Sequence, residues 1–415
     1  MKKFAVLFPG QGSQYVGMGK ELLNSELSNN ISQIAFDILK FDFKEMFLKP
    51  NPNELLDTSV VQPLLLIYGY LAFHECLSKS NISPQFLMGH SLGEITALTC
   101  AEAISITDAL KIVKYRGKLM KEFSNKIGSM IAIIGIQQKE AEQLCADISS
   151  ESNFVQVANI NSLDQIVVSG NNSGLEALKA HLNKMPVKII ELAMNIPFHS
   201  KLMEPIKKPF KKFLSEFQYR PLKYNVISNV NACPYLSAKH IVDNLTEQLS
   251  HPVMWQDSMK FIDSEKVDFC IDIGPKTILK NLSYTNSIKM KVYAYDNTAE
   301  KVKIGNLLMG LNEGETQKRI NFIKACLTLA ISVKNRSFVE DEYLEGVIEP
   351  YRNIERMLKD IETRKLIPTT TQLTDAYKMV EKVFTTKKIS DDEISEKTNF
   401  LFNKTGINMK AGICQ

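Results

Sequence analysis

The stretch Phe86-Leu87-Met88-Gly89-His90-Ser91-Leu92-Gly93-Glu94 limits the folds open to this chain more than any other. A short apolar run is followed by a turn bracketed by two glycines, and then by helical spacing at Ile95, Leu98 and Glu102. This is the strand-turn-helix context of a G-x-S-x-G nucleophile elbow, with Ser91 at the apex and a helix starting near Glu94. Glycines on either side remove Cβ atoms that would crowd a strained turn. The helix that follows supplies unpaired N–H groups and a positive dipole end where an oxyanion would form.

An elbow of this kind sits on a parallel α/β sheet, and the flanking sequence agrees. Phe4-Ala5-Val6-Leu7-Phe8 is a continuous apolar run stopped by Pro9-Gly10, the form of a central parallel strand. The loop Pro9-Gly10-Gln11-Gly12-Ser13-Gln14 that follows can turn backbone N–H groups toward an anion. Pro63 suits the first turn of a buried helix running to about Ser78. From about residue 127 the pattern changes to short strands and amphipathic helices in the order β-α-β-β-α-β, which predicts an inserted ferredoxin-like subdomain over 127–197. The large α/β-hydrolase-like domain, with its parallel sheet, then comprises 1–126 and 198–302. A helical C-terminal extension follows over 303–415. Its expected stripes are Ile320, Ile323, Leu327 and Ile331, then Tyr343, Val347, Ile354, Leu358 and Ile361, interrupted at Pro350, which should break or kink that segment, then Leu373, Ala376, Val380 and Val383. The last helix reads as starting at a Ser390-x-x-Glu393 capping box and stopping at Gly406.

Composition narrows the functional class. A formal net charge of +4 over 415 residues argues against a nucleic-acid partner. No run is read as reaching the length of a membrane span, and Pro9-Gly10 halts the N-terminal apolar run too early for a signal peptide, so a cytoplasmic protein is expected. Seven scattered cysteines without C-x-x-C spacing give neither a disulfide framework nor a zinc site and are expected to be reduced and mostly buried.

A serine hydroxyl needs a base, and histidine is the usual one. Of six histidines, His90 should point away from its neighbour at the tight turn. His74, His181, His240 and His251 fall in helices or near helix ends. His199 lies in Ile196-Pro197-Phe198-His199-Ser200, a loop where the chain re-enters the large domain, and is the candidate partner of Ser91.

Five segments occur in the order and approximate spacing of one family. They are Phe8-Pro9-Gly10-Gln11-Gly12-Ser13-Gln14, Gly89-His90-Ser91-Leu92-Gly93-Glu94, Tyr115-Arg116-Gly117, Pro197-Phe198-His199-Ser200 and Asp272-Ile273-Gly274-Pro275. Over about residues 1–300 the chain resembles the malonyl-CoA:acyl carrier protein transacylases, a family that includes free-standing acyltransferases loading polyketide synthases in trans. The resemblance implies a Ser91–His199 dyad without an acidic third member, and an oxyanion hole made by the backbone N–H groups of Gln11 and Leu92. It also implies a main-chain carbonyl near the position matching Met254 that orients the imidazole. Arg116 takes the place of the family's carboxylate-binding arginine, whose planar fork grips a malonyl carboxylate with two parallel hydrogen bonds. Phe198 matches the malonyl-accepting form of its loop, and Gln62 matches a glutamine near the pocket. One departure is Pro252-Val253-Met254-Trp255, with Met where the family usually has Gln.

The expected activity is two-step transfer of a malonyl group from malonyl-CoA to the phosphopantetheine thiol of an acyl carrier protein, with no metal or redox cofactor. Two rivals are an acyl hydrolase acting on carrier proteins and a non-catalytic docking module. Lys207, Lys208, Lys211 and Lys212 form either a basic face for an acidic carrier protein or a solvated helix face.

Overall fold

The computed structural model describes residues 2–78, 80–123, 128–193, 195–286, 290–310, 313–336, 340–363, 367–407 and 409. Nine strands occur among them: β1 (Phe4–Phe8), β2 (Phe86–Gly89), β3 (Gly128–Ile134), β4 (Val155–Ile160), β5 (Gln165–Asn171), β6 (Lys188–Glu191), β7 (Asn225–Ile227), β8 (Phe269–Asp272) and β9 (Lys291–Ala294). The apolar run at the N-terminus becomes β1, buried at every position, in the middle of a parallel sheet of order β7-β2-β1-β8-β9. A strand covered on both faces has to be apolar throughout, which is what Phe4–Phe8 supplies.

Register then places the chemistry. Phe8 lies beside Gly89, so β1 and β2 end together and their two following loops meet at the carboxyl edge of the sheet. The elbow is tight: a Cβ on Gly89 would lie 1.8 Å from the Gly93 carbonyl carbon, and one on Gly93 would lie 2.0 Å from the Phe8 oxygen.

The helix entered through Pro63 begins earlier than the sequence suggests. It spans Thr58–Leu77, capped by the Asp57 side chain accepting from the Ser59 N–H, and Pro63 lies inside it. The Asp57 cap outweighs the proline as a start signal, and the added turn brings Thr58 and Gln62 toward the site. This helix also amends the expectation about membrane spans: by length and composition it could cross one, and it is mostly buried inside the protein.

The order β-α-β-β-α-β is present over 128–191. Its four strands form a sheet of order β4-β5-β3-β6 in which every neighbouring pair is antiparallel. Alternation along β3 sorts its two faces. Ile131 and Ile133 pack with Leu175 and Leu178 under the helices, whereas Met130 and Ala132 face the cavity described below.

The chain divides into two units, Met1–Lys301 and Val302–Gln415. The second is helical, with a core that includes Phe322, Ile323, Cys326, Ile354, Leu358, Ala376 and Val380. Three details there depart from expectation. Ile331 is 65% exposed, because the buried face of Glu313–Ser332 is centred on Ile323, Cys326 and Ala330 and is rotated away from Ile331. Ahead of Pro350 the helix widens into a π turn, Leu344–Ile348, and continues as Glu349–Thr363, so the missing proline N–H is absorbed without a break. Ser390 makes no side-chain cap, the Glu393 carboxylate that would complete the box accepts from Arg336 at 2.8 Å instead, and a capping box forms at Thr369 with Gln372. Five cysteines are buried and Cys233 is exposed, while Cys414 lies outside the described residues.

Candidate active site

The elbow serine caps the helix Leu92–Cys100 with φ 53° and ψ −108°, and His199 also has a positive φ of 57°. Backbone strain at non-glycine residues persists only where the surroundings over-determine it. Around Ser91 the constraint is visible: its N–H donates to Asn229 Oδ1 at 2.7 Å, and Asn229 Nδ2 donates to the Gly89 carbonyl at 2.6 Å.

His199, 3% exposed, places Nε2 2.8 Å from Ser91 Oγ and Nδ1 2.8 Å from the main-chain oxygen of Gln248. A carbonyl can only accept, so Nδ1 carries the hydrogen and Nε2 offers its lone pair to the serine hydroxyl. His90 turns away, with Nε2 2.9 Å from Asn161 Oδ1.

Arg116 is likewise 3% exposed rather than solvated among its lysine neighbours. One terminal nitrogen donates to Gln62 Oε1 at 2.9 Å, and the other donates to Gln248 Oε1 at 3.0 Å and to Ser91 Oγ at 3.3 Å. Its Nε–H is buried without a hydrogen-bond partner among the described residues. Ser91, His199, Arg116, Gln62, Gln11, Leu92 and Phe198 all line one cavity of about 410 Å³, walled on the far side by Met130, Ala132, Val167 and Ile190 of the antiparallel sheet. The Leu92 N–H opens its helix and has no carbonyl one turn back, so it is free to serve an anion in the cavity.

Residues 6–301 match the acyl transferase domain family. The malonyl CoA-acyl carrier protein transacylase of Staphylococcus aureus strain COL is 36% identical over 285 residues, covering 68% of this chain and 92% of that protein. The chain belongs to the malonyl-CoA:acyl carrier protein transacylase family. The transacylase of Bacillus subtilis is 33% identical over 302 residues, 72% of this chain and 76% of its own. Among solved structures, the transacylase of Coxiella burnetii superposes with a TM-score of 0.71 at 30% identity, covering 74% of this chain and 98% of that one. A malonyl-transacylase in complex with a type II polyketide synthase acyl-carrier protein gives a TM-score of 0.70 at 29% identity, covering 74% and 99%.

Within this transacylase framework one expectation needs correcting. The carbonyl that orients the imidazole belongs to Gln248, not to the neighbourhood of Met254. Met254 instead uses its N–H on the Asn229 carbonyl and its own carbonyl on Ser258, so its backbone is committed elsewhere. Three residues of the site went unassigned in the sequence: Gln248, Asn229 and Glu94. Glu94 is fully buried and accepts from Tyr235 Oη at 2.5 Å, Gln248 Nε2 at 2.6 Å and the Asn229 N–H at 3.2 Å. Gln248 thus touches the histidine through its backbone and the arginine, the serine carbonyl and Glu94 through its side chain. The only local hint was the position of Glu94 in the first turn of the elbow helix. Of the four lysines proposed as a basic face, Lys207 pairs with Glu204 and Glu247 and Lys211 with Asp243, which leaves less free charge than the sequence implies.

Electrostatics in the site follow from burial. Desolvation, aided by the nearby Arg116 charge and His90 and opposed by the Gln248 carbonyl, lowers His199 from its ordinary 6.5 to about 3. Arg116 falls to about 10 through burial, with Glu94 opposing, and stays cationic at neutral pH. Glu94 rises from 4.5 to about 7 through burial. Between pH 6.5 and about 3 the unfolded chain protonates His199 and the folded one does not, so this group's stabilisation is lost as pH falls through that window. Glu94 acts oppositely: its contribution is fully present below pH 4.5 and is lost as pH rises through about 7. The rate of serine acylation is expected to stay level from pH 8 to about 5, because the base is already neutral there. An inflection at pH 6.5 in that rate that persists in Glu94→Gln, where the carboxyl that titrates at about 7 is gone, would contradict the buried imidazole.

Proposed function

We propose that the chain loads acyl carrier proteins with malonyl groups from malonyl-CoA, in polyketide or fatty acid synthesis, in the cytoplasm. The observation that carries this reading is the guanidinium of Arg116 in the same cavity as Ser91, with Nη2 3.3 Å from the hydroxyl. A buried cation is costly unless something anionic comes to it, and a free carboxylate two bonds from a thioester carbonyl suits that geometry.

In the first step Ser91 Oγ attacks the thioester carbonyl carbon and its proton passes to His199 Nε2. The backbone N–H groups of Gln11 and Leu92 hold the resulting oxyanion. Collapse breaks the C–S bond, and the CoA sulfur leaves with the proton from His199. Arg116 keeps the carboxylate of the malonyl-serine in place, with Phe198 and Gln62 shaping the pocket around it. The phosphopantetheine thiol then repeats the sequence in reverse, giving its proton to His199 and taking the acyl group. These steps call on no metal or redox cofactor. We read the antiparallel unit as a ferredoxin-like insertion over 127–197 in an α/β-hydrolase-like domain of 1–126 and 198–302, supported by its strand order.

The test follows the acyl group. Malonyl-enzyme freed of CoA should lose its added mass when a phosphopantetheinylated carrier protein is supplied, and the carrier should gain it. Loss of the mass to water at the same rate without carrier would favour a hydrolase.

A further inference from the structure

An unbroken run of side-chain hydrogen bonds leaves Arg116 in the direction of the glycine loop. Arg116 Nη1 donates to Gln62 Oε1 at 2.9 Å, Gln62 Nε2 donates to Thr58 Oγ1 at 2.8 Å, and Thr58 Oγ1 donates to Gln11 Oε1 at 2.9 Å. The first two polarities follow from the guanidinium, which only donates and so leaves Gln62 its Nε2 to donate onward; the Thr58 hydroxyl, having accepted, keeps its one hydrogen for Gln11 Oε1. Thr58 and Gln62 lie one turn apart on one helix and are 3% and 1% exposed. The Thr58–Gln62 part of the run is therefore dry, so a partner lost there is not replaced by water, while the half-buried Gln11 end lines the cavity.

Gln11 is the residue whose backbone N–H is read above as an oxyanion donor. The rest of its loop is fastened separately, by Ser13 Oγ donating to the Gly10 carbonyl and Gln14 Nε2 donating to the Leu55 carbonyl. The side chain of Gln11 itself is held by Thr58.

We propose that Thr58 is a positioning residue that fixes the Gln11 donor and links it, through Gln62, to the guanidinium that binds the acyl carboxylate. The inference rests on the transacylase reading above. Through this link, a carboxylate that settles on Arg116 and orders Gln62 also orders the donor that meets the oxyanion. Thr58 touches no reacting atom, so its effect should appear in kcat for serine acylation and leave KM for malonyl-CoA near the wild-type value.

The experiment is a rapid-quench measurement of serine acylation by malonyl-CoA for wild type, Thr58→Val, Thr58→Ser, Gln11→Ala and the double variant Thr58→Val/Gln11→Ala. Valine keeps the shape and removes the hydroxyl. It is expected to lower kcat about tenfold at little changed KM, because a small displacement of a donor is enough for a loss of that size. Serine should restore the rate to within about twofold of wild type. Thr58→Val and Gln11→Ala break the same bond, so the double variant should lose no more than the worse single one. Unfolding temperatures of all variants, measured in parallel, separate misfolding from misplacement. Full activity in Thr58→Val, equal defects in the valine and serine variants, or additive losses in the double variant would each overturn the proposal. If wild type itself failed to acquire a malonyl group, the transacylase reading would fall first.

Discussion

Replacing His199 with alanine is expected to slow formation of the malonyl-enzyme by about 10³-fold or more, with binding of malonyl-CoA largely intact. The hydroxyl of Ser91 has its hydrogen directed at Nε2 at 2.8 Å, and no other neutral nitrogen contacts that oxygen among the described residues. The other group at Ser91 Oγ is the Arg116 guanidinium, which donates and cannot take a proton. Without the imidazole the proton has only solvent to go to. Ser91→Ala should abolish the adduct altogether. A rapid-quench assay distinguishes the two, since the histidine variant retains a slow burst and the serine variant has none. A His199→Ala protein acylated at the wild-type rate would remove the dyad from the account.

Arg116→Ala is expected to cost malonyl acylation about two orders of magnitude in kcat/KM while leaving reaction with acetyl-CoA unchanged or faster. Two charge-assisted hydrogen bonds to a carboxylate contribute about 1.5–3 kcal/mol each, of which water entering the pocket restores a part. Arg116→Lys should recover only a fraction, since an ammonium keeps the charge and loses the fork. A second signature accompanies the first. The guanidinium charge is one cause of the low basicity of His199, so its removal should move the acid limb of the pH profile upward. A malonyl carboxylate bound at Arg116 is expected to act the same way in wild type, offsetting the cation and making the imidazole a better base when the right substrate is bound. Equal malonyl and acetyl rates in wild type, together with an unshifted acid limb in Arg116→Ala, would contradict this role.

The parts of the fold that depend on short stretches were legible in the sequence. β1 was readable because Phe4–Phe8 is apolar without interruption, and the antiparallel unit because short strand-like runs alternate with short amphipathic helices. The elbow was readable because its glycines are required by contacts within the strand-turn-helix itself and with the adjoining β1. Ser91, Arg116 and His199, far apart in sequence, are brought to one cavity by strand register and by the helix Ile106–Phe123.

What escaped notice depends on distance along the chain. Gln248 contacts the site from 157 residues beyond Ser91, and its decisive group is a main-chain carbonyl, which every residue type possesses. Asn229 pins the elbow from another loop, with nothing in its own neighbourhood to signal it. The Thr58 hydroxyl was hidden for a different reason, since Pro63 drew the helix start inward and Thr58 fell outside the expected element. In the helical unit, apolar residues on two adjoining faces left the spacing rule without a unique choice. The small side chains of Cys326 and Ala330 mark the face that packs, and Ile331 lies outside it.

The central claim is a malonyl ester on the hydroxyl of Ser91. Brief exposure of the full-length protein to malonyl-CoA, followed by acid quench, intact mass and peptide mapping, tests it most directly. The account predicts a single added malonyl group on the peptide containing Gly89 to Gly93, absent in Ser91→Ala and formed in preference to an acetyl group from an equal concentration of acetyl-CoA. A malonyl group on any other residue, or acetyl labelling in preference to malonyl, would contradict it.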